Sequence, residues 1–184
     1  MSEEPMEYRK TRISFINRVW FYLALLFPLT ALALPEDKDQ EVVVVASRGG
    51  EVSLDEGITI FRGTVEQPAS ITQGTMEITG LEITIRADDG DLSKISKITA
   101  AGKPASFQQQ PKIDQSVVYA RGETIVYDDS SQLITINGDA ELTQDRNILT
   151  GHLIEYEIEN KKARAESSGG SDRVNMSITP KNDQ

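Results

Sequence analysis

The chain has 184 residues, no cysteine, one histidine and a formal net charge of −10. Its 29 Asp and Glu against 19 Lys and Arg argue against a nucleic-acid partner, and the absence of thiols excludes disulfides, a thiol nucleophile and thiolate metal sites. Aromatic residues make up only 6% of the chain, so its core must be built mainly from Ile, Val and Leu.

At the N-terminus, Arg9, Lys10, Arg12 and Arg18 precede a 15-residue apolar run from Val19 to Ala33, which holds Pro28 and ends in Ala31-Leu32-Ala33. A membrane-spanning helix needs about 20 apolar residues, so this shorter run with its small-x-small end predicts a secretory signal peptide over residues 1–33. The long polar lead before the run keeps an uncleaved anchor as the alternative. On either reading the remainder is exported. Residues 34–184 carry 15 basic and 26 acidic side chains and have the length of one ordinary domain.

Pro35 to Gln40 is a charged lead, and Glu41 to Ala46 is a valine run that predicts a first strand. Val52 and Leu54 then alternate with Glu51, Ser53 and Asp55. Ile60-Phe61-Arg62-Gly63-Thr64-Val65 and, later, Ile134 to Leu142 through Asn137-Gly138-Asp139 each read as a strand that bends at its glycine and then continues or reverses. A cassette follows in which glycine leads an apolar-polar alternation: Gly80 to Ile85, Gly122 to Tyr127 and Gly151 to Tyr156. Such self-similarity predicts a stack of similar strand pairs. Turn chemistry separates the strands at Arg48-Gly49-Gly50, Asp88 to Asp91, Asp128 to Ser131, Asn137-Gly138-Asp139 and Ser167 to Gly170. A longer loop is expected over Gln108 to Gln115, broken by Pro111, and a disordered tail over 181–184. No convincing helical period occurs after residue 33.

The pattern predicts an all-β, antiparallel domain of roughly 10 to 16 short strands over residues 34–180. A sandwich, a closed barrel and one sheet folded over on itself all fit this count. Scarce rings and an Ile, Val and Leu lining favour the folded sheet, with a long apolar trough inside it. A trough filled by its own side chains is simply a core.

Catalysis finds little support in these residues. His152 stands alone beside Gly151 and reads as a surface side chain, so a serine triad has no obvious base. Asp88 with Asp91, and Asp128 with Asp129, could serve glycoside hydrolysis only if they faced each other across a cleft. In Gly- and Ser-rich turns such acids are ordinary turn formers. The Asp88-Asp89-Gly90-Asp91 spacing does not follow a calcium loop. The expectation is a non-enzyme without metal or cofactor.

Three stretches resemble the LptA/OstA family of periplasmic bridge proteins in lipopolysaccharide transport. They are Phe61-Arg62-Gly63-Thr64-Val65 with Thr72 to Ile78, then Gly102-Lys103-Pro104-Ala105-Ser106-Phe107, then Ala120 to Tyr127 with Asn137 to Ala140 and Gly151 to Tyr156. Arg173 to Pro180 is similar to the family's closing strand. The resemblance implies a β-jellyroll folded like a taco and open at both ends, whose interior shelters the acyl chains of lipopolysaccharide (lipid A). By similarity, Phe107, Ile125 and Tyr127 face the lipid, and Val43, Val45, Val52 and Leu54 line the groove near the N-terminal end. The alternation adds Val65, Met76, Ile78, Ile83, Ile85, Ile136, Leu142, Ile154 and Tyr156 to that lining.

The same resemblance implies head-to-tail self-association through sheet edges. Val42 and Val44 stand on the N-terminal edge, which would also meet an inner-membrane complex; Val174, Met176 and Ile178 stand on the C-terminal edge, which would meet an outer-membrane translocon. Polar flanks and Pro180 could equally be devices that block edge pairing. A β-scaffold without a lipid ligand is the other reading that the repeats allow. Two segments depart from the family pattern, Glu66 to Ser70, where a loop or bulge is expected, and the Asp88 to Lys97 connection.

Overall fold

The structure, a computed structural model, describes residues 37–112 and 115–180. The expected signal peptide and the 181–184 tail lie outside the described residues. Among the described residues there are twelve strands and no α-helix. In chain order they are β1 (Val42–Val45), β2 (Gly50–Ser53), β3 (Ile58–Arg62), β4 (Ala69–Gln73), β5 (Met76–Gly80) and β6 (Glu82–Ala87). The long strands β7 (Ile95–Gln109), β8 (Val118–Asp128), β9 (Leu133–Gln144) and β10 (Asn147–Glu157) follow, then β11 (Lys162–Glu166) and β12 (Asn175–Ser177).

All pairings are antiparallel and join one unclosed sheet with two branches at each end. One half runs β2-β3-β6-β7-β8-β9-β10-β11, and the other runs β1-β4-β5-β7-β8-β9-β10-β12. The four long strands belong to both halves, so the sheet must bend across them. It bends on a line of glycines: register shifts fall between Ala101 and Ala105, Arg121 and Thr124, and Gly151 and Leu153, beside Gly102, Gly122 and Gly151. On β9 the bend sits at Gly138 and Asp139, whose φ values are +73° and +46°. An irregular residue in one strand bends the sheet locally, and glycine leaves room for the crowding inside the bend. A Cβ on Gly122 would lie 2.7 Å from Ile136 Cγ2 and 2.9 Å from the Asn137 carbonyl oxygen. The Lys103–Pro104 peptide, inside the β7 irregularity, is cis.

Bending brings the two apolar faces together over one core. Ile71, Ile78 and Phe107 from one half join Ile83, Ile125, Ile136 and Ile154 from the other, all essentially without solvent exposure. Burying each such side chain contributes about 1.5–3 kcal/mol. Outward positions carry cross-strand ion pairs, Arg62 with Glu82 at 2.9 Å and Arg121 with Glu141 at 2.8 Å. Exposed pairs of this kind contribute at most about 1 kcal/mol each and chiefly keep the outer face polar.

Of the two stretches expected to bend at glycine and continue or reverse, one continues and the other stops. Asn137-Gly138-Asp139 is the one that continues: it does not separate two strands but lies inside β9 and bends it, because the residues on both sides keep their pairing with β8 and β10. Gly63 does not carry its strand onward, since β3 stops at Arg62 and residues 63–68 form a loop. Val65 is therefore not a lining residue but 79% exposed in that loop. The interruption expected near Glu66 is this loop, and where the long loop was expected β7 ends at Gln109 and β8 begins at Val118.

Candidate functional site

Directly opposed residues of antiparallel strands share a face, so the register defines the inner wall of the fold row by row. In the first half, Phe61, Ile83, Ala100, Ile125, Ile136, Ile154 and Ala165 form one row. Thr59, Ile85, Ile98, Tyr127, Ile134 and Tyr156 form the next, farther from the bend. In the second half Val44, Ile71, Ile78, Phe107, Ala120, Leu142 and Leu149 are in line. Met76 lies two residues along β5 from Ile78 on the same face, and is buried. Together these rows are an apolar wall that runs from the β1 and β2 edges to the β11 and β12 edges.

Eleven of the expected lining residues meet in this wall and are buried: Met76, Ile78, Ile83, Ile85, Phe107, Ile125, Tyr127, Ile136, Leu142, Ile154 and Tyr156. Val43 and Val45 do not, for they are opposite Thr72 and Ser70 on the outer face and are 46% and 61% exposed. The lining positions of β1 are Val42 and Val44, opposite Gln73 and Ile71, which pack against the core. An unbroken run of four valines carries no alternation, so its phase is invisible until the partner strand is known. Leu54 stands in the Leu54–Gly57 turn, where its carbonyl accepts a bond from the Gly57 N–H at 3.3 Å, and it is exposed. Ile71, Ile98, Ile134 and Val118 are wall residues that the sequence reading passed over. Their signal was present, since Ile98 alternates with Ala100 and Ile134 with Ile136.

The two ends of the wall are uncovered. Val52 is opposite buried Thr59 and so faces inward, yet it is 53% exposed because β2 has no further neighbour. At the opposite end Met176 is opposite Leu149 on the inner face and is 64% exposed. Each end also has two free backbone edges among the described residues, β1 and β2 at one, β11 and β12 at the other. Val174 and Ile178, expected on the C-terminal edge, flank β12 rather than belonging to it, and both are exposed.

Polar groups in the wall are few. The Tyr127 hydroxyl donates to Asp129 Oδ1 at 2.7 Å and accepts from Gln132 Nε2 at 2.9 Å. Burial, with the neighbouring Asp129, pushes its pKa well above the ordinary tyrosine value. Burial alone raises that of Tyr156. At the second half's free margin, Asp37 accepts from the Thr75 N–H (2.7 Å), the Thr75 hydroxyl (2.7 Å) and Gln109 Nε2 (2.6 Å), tying the chain before β1 to β7. A shallow pocket of about 220 Å³ is lined mainly by the outward residues Glu77, Gln108, Tyr119, Arg121 and Glu141, with Phe107 and Ala120 of the wall at its floor.

The acids considered for hydrolysis are turn formers. Asp128 accepts bonds from the Ser130 and Ser131 hydroxyls and the Ser131 N–H, which hold its carboxyl below the ordinary range. Asp91 is held low in the same way by Ser93. His152 is exposed on β10. Among the described residues no group of three or more His, Asp or Glu could hold a metal ion.

Comparison with known proteins accords with this architecture. Residues 44–162 match the model of the family described as LptA/(LptD N-terminal domain) LPS transport protein. The lipopolysaccharide export system protein LptH of Pseudomonas aeruginosa is 33% identical, over 86% of this chain and 94% of that protein. Escherichia coli LptA, also a lipopolysaccharide export system protein, is 25% identical over 95% of this chain and 90% of its own length. The crystal structure of LptH, titled as the periplasmic component of the P. aeruginosa lipopolysaccharide transport device, superposes with a TM-score of 0.70 at 27% identity, covering 79% of this chain and all of LptH. By its sequence and its folded-over sheet, the chain belongs to the LptA/LptD N-terminal domain family of lipopolysaccharide transport proteins.

Proposed function

We propose that the chain is a periplasmic lipopolysaccharide carrier, in which the apolar wall shelters acyl chains while the sugar headgroup stays in water. The observation that carries this reading is the inner wall's continuation to uncovered ends, where Val52 and Met176 face inward yet stay more than half exposed. A core that served only folding would close at its ends, since exposed apolar area costs about 25 cal/mol per Å². A wall that continues from one molecule into the next has reason to stay open. Without ligand the centre is filled by its own Ile side chains, so entry of acyl chains requires the two halves to part. The bend line offers a hinge, and among the described residues the opposite margin carries no strand pairing between the halves. No bond is made or broken in this role, and no cofactor is needed.

Head-to-tail assembly follows from the same geometry. β1 or β2 of one molecule adds to β11 or β12 of the next, an open-ended contact that propagates as a filament. Its N-terminal end would dock to the inner-membrane export complex and its C-terminal end to the outer-membrane translocon. A photo-crosslinking amino acid at Val52, Phe107 or Met176 should capture lipopolysaccharide, whereas one at outward Glu82 or Glu155 should not. Adducts confined to Glu82 and Glu155 would reverse the assignment of inside and outside.

A further inference from the structure

Tyr127 and Tyr156 occupy equivalent places in one inner row, on either side of Ile134, which is opposite both. Their hydroxyls differ. That of Tyr127 is held by Asp129 and Gln132, at 2.7 and 2.9 Å. The Tyr156 hydroxyl has no hydrogen-bond partner among the described residues, although the residue is only 3% exposed. Burying an unpaired hydroxyl costs stability, and phenylalanine would supply the same ring without that cost. The other orphaned buried atom, Gln109 Oε1, belongs to an amide whose nitrogen already binds Asp37, so that side chain has a structural task. Nothing comparable engages Tyr156.

Its surroundings lie on the path of a ligand. The residue opposite Tyr156 on β11 is Ala163, and the next inward residue is Ala165, opposite Ile154. Beyond Tyr156 the last strand therefore presents only methyl groups to the inner face, and Ala163 is exposed at the C-terminal end. Tyr156 thus stands opposite a small side chain next to a free edge, in a wall with few polar groups.

We infer that the Tyr156 hydroxyl is a polar anchor within the trough, donating a hydrogen bond to an oxygen on the acyl portion of the bound amphiphile, a hydroxyl or acyl-linkage oxygen. This rests on the lipid-carrier reading and adds a selectivity to it: chains that carry an oxygen near their root are held in preference to bare hydrocarbon chains. A site that pairs a buried polar group rejects the analogue that leaves that group unpaired. Burial raises the pKa of the phenol, so the donor proton is retained across the physiological range.

The test compares 3-hydroxytetradecanoic acid with tetradecanoic acid, as competitors for a fluorescent fatty-acid probe on the wild-type protein and on Tyr156→Phe. The ratio of the two affinities should fall about 3- to 10-fold in the variant, the worth of one net hydrogen bond. Binding of tetradecanoic acid should not change, and the ligand-free variant should melt no lower than wild type. An unchanged ratio, or an equal loss for both acids, overturns the anchor while leaving the carrier reading intact. Failure of the wild type to bind either acid overturns both.

Discussion

Gly122 stands where β8 turns from one half of the sheet to the other, and its missing side chain is what lets Ile136 of β9 lie against it. A Cβ there would be 2.7 Å from Ile136 Cγ2, closer than two carbons can approach. Ile136 is fully buried and has nowhere to retreat. Gly122→Ala should therefore destabilise the domain by about 1–3 kcal/mol, as overpacking does in well-filled cores, and should lower the urea midpoint. Alanine at Gly169, whose Cβ would meet nothing within 4 Å, tests backbone strain alone, since its φ is +90°. The cassette glycines were visible in the sequence as a repeat. Their role as a bend line was not, because the atoms that crowd Gly122 belong to a strand 14 residues away.

At the scale of the strand, the ends of the sheet differ in composition. β1 is four valines with no partner but β4 among the described residues, an edge that invites addition of a strand. β11 reads Lys-Ala-Arg-Ala-Glu, charged outward and small inward, while β12 is three residues long. The sequence reading placed the C-terminal edge on β12 alone, yet β10 carries β11 and β12 side by side on its two halves. Assembly should rise with protein concentration, and ending the chain at Ser171, which removes β12, should weaken it on a sizing column without loss of the β-sheet circular dichroism. If β11 is the docking strand, Ala163→Pro should be the variant that abolishes assembly, since proline removes a backbone donor. Long oligomers in both variants would exclude docking at the C-terminal edges. The phase of β1 was unreadable for a related reason, since only pairing with Ile71 singles out Val44 from Val43.

For the molecule as a whole, the buried tyrosines and the turn carboxylates set opposite limits on stability. Tyr127 and Tyr156 have raised pKa values in the folded state, so their contribution is complete below the ordinary tyrosine value of 10.0 and is lost as pH rises past it. Asp91, Asp128 and Asp172 have lowered values, so theirs is complete above the ordinary carboxylate value of 3.8 and is lost as pH falls through the depressed ones. Urea midpoints should thus be flat from about pH 6 to 9 and fall at both extremes. Replacing both Tyr127 and Tyr156 by Phe should shallow the alkaline fall only, and Asp128→Asn the acid fall only. An alkaline limb unaltered in the double variant would show that other groups govern it.

Local chemistry was enough to specify an all-β antiparallel domain, most of its inward Ile positions and most of its turns, because a two-residue period and Gly- or Asp-rich turns act over a few neighbours. It also sufficed for the family, through motifs that recur in order along the chain. What only the tertiary structure decided was long-range. Register chose Val42 and Val44 over Val43 and Val45, pairing on both sides decided that Asn137-Gly138-Asp139 creases one strand rather than reversing the chain, and the absence of a neighbour left Val52 and Met176 facing inward yet uncovered. The face and the cover of a side chain depend on partner strands tens of residues away, and no local pattern encodes which partner arrives or where the sheet ends.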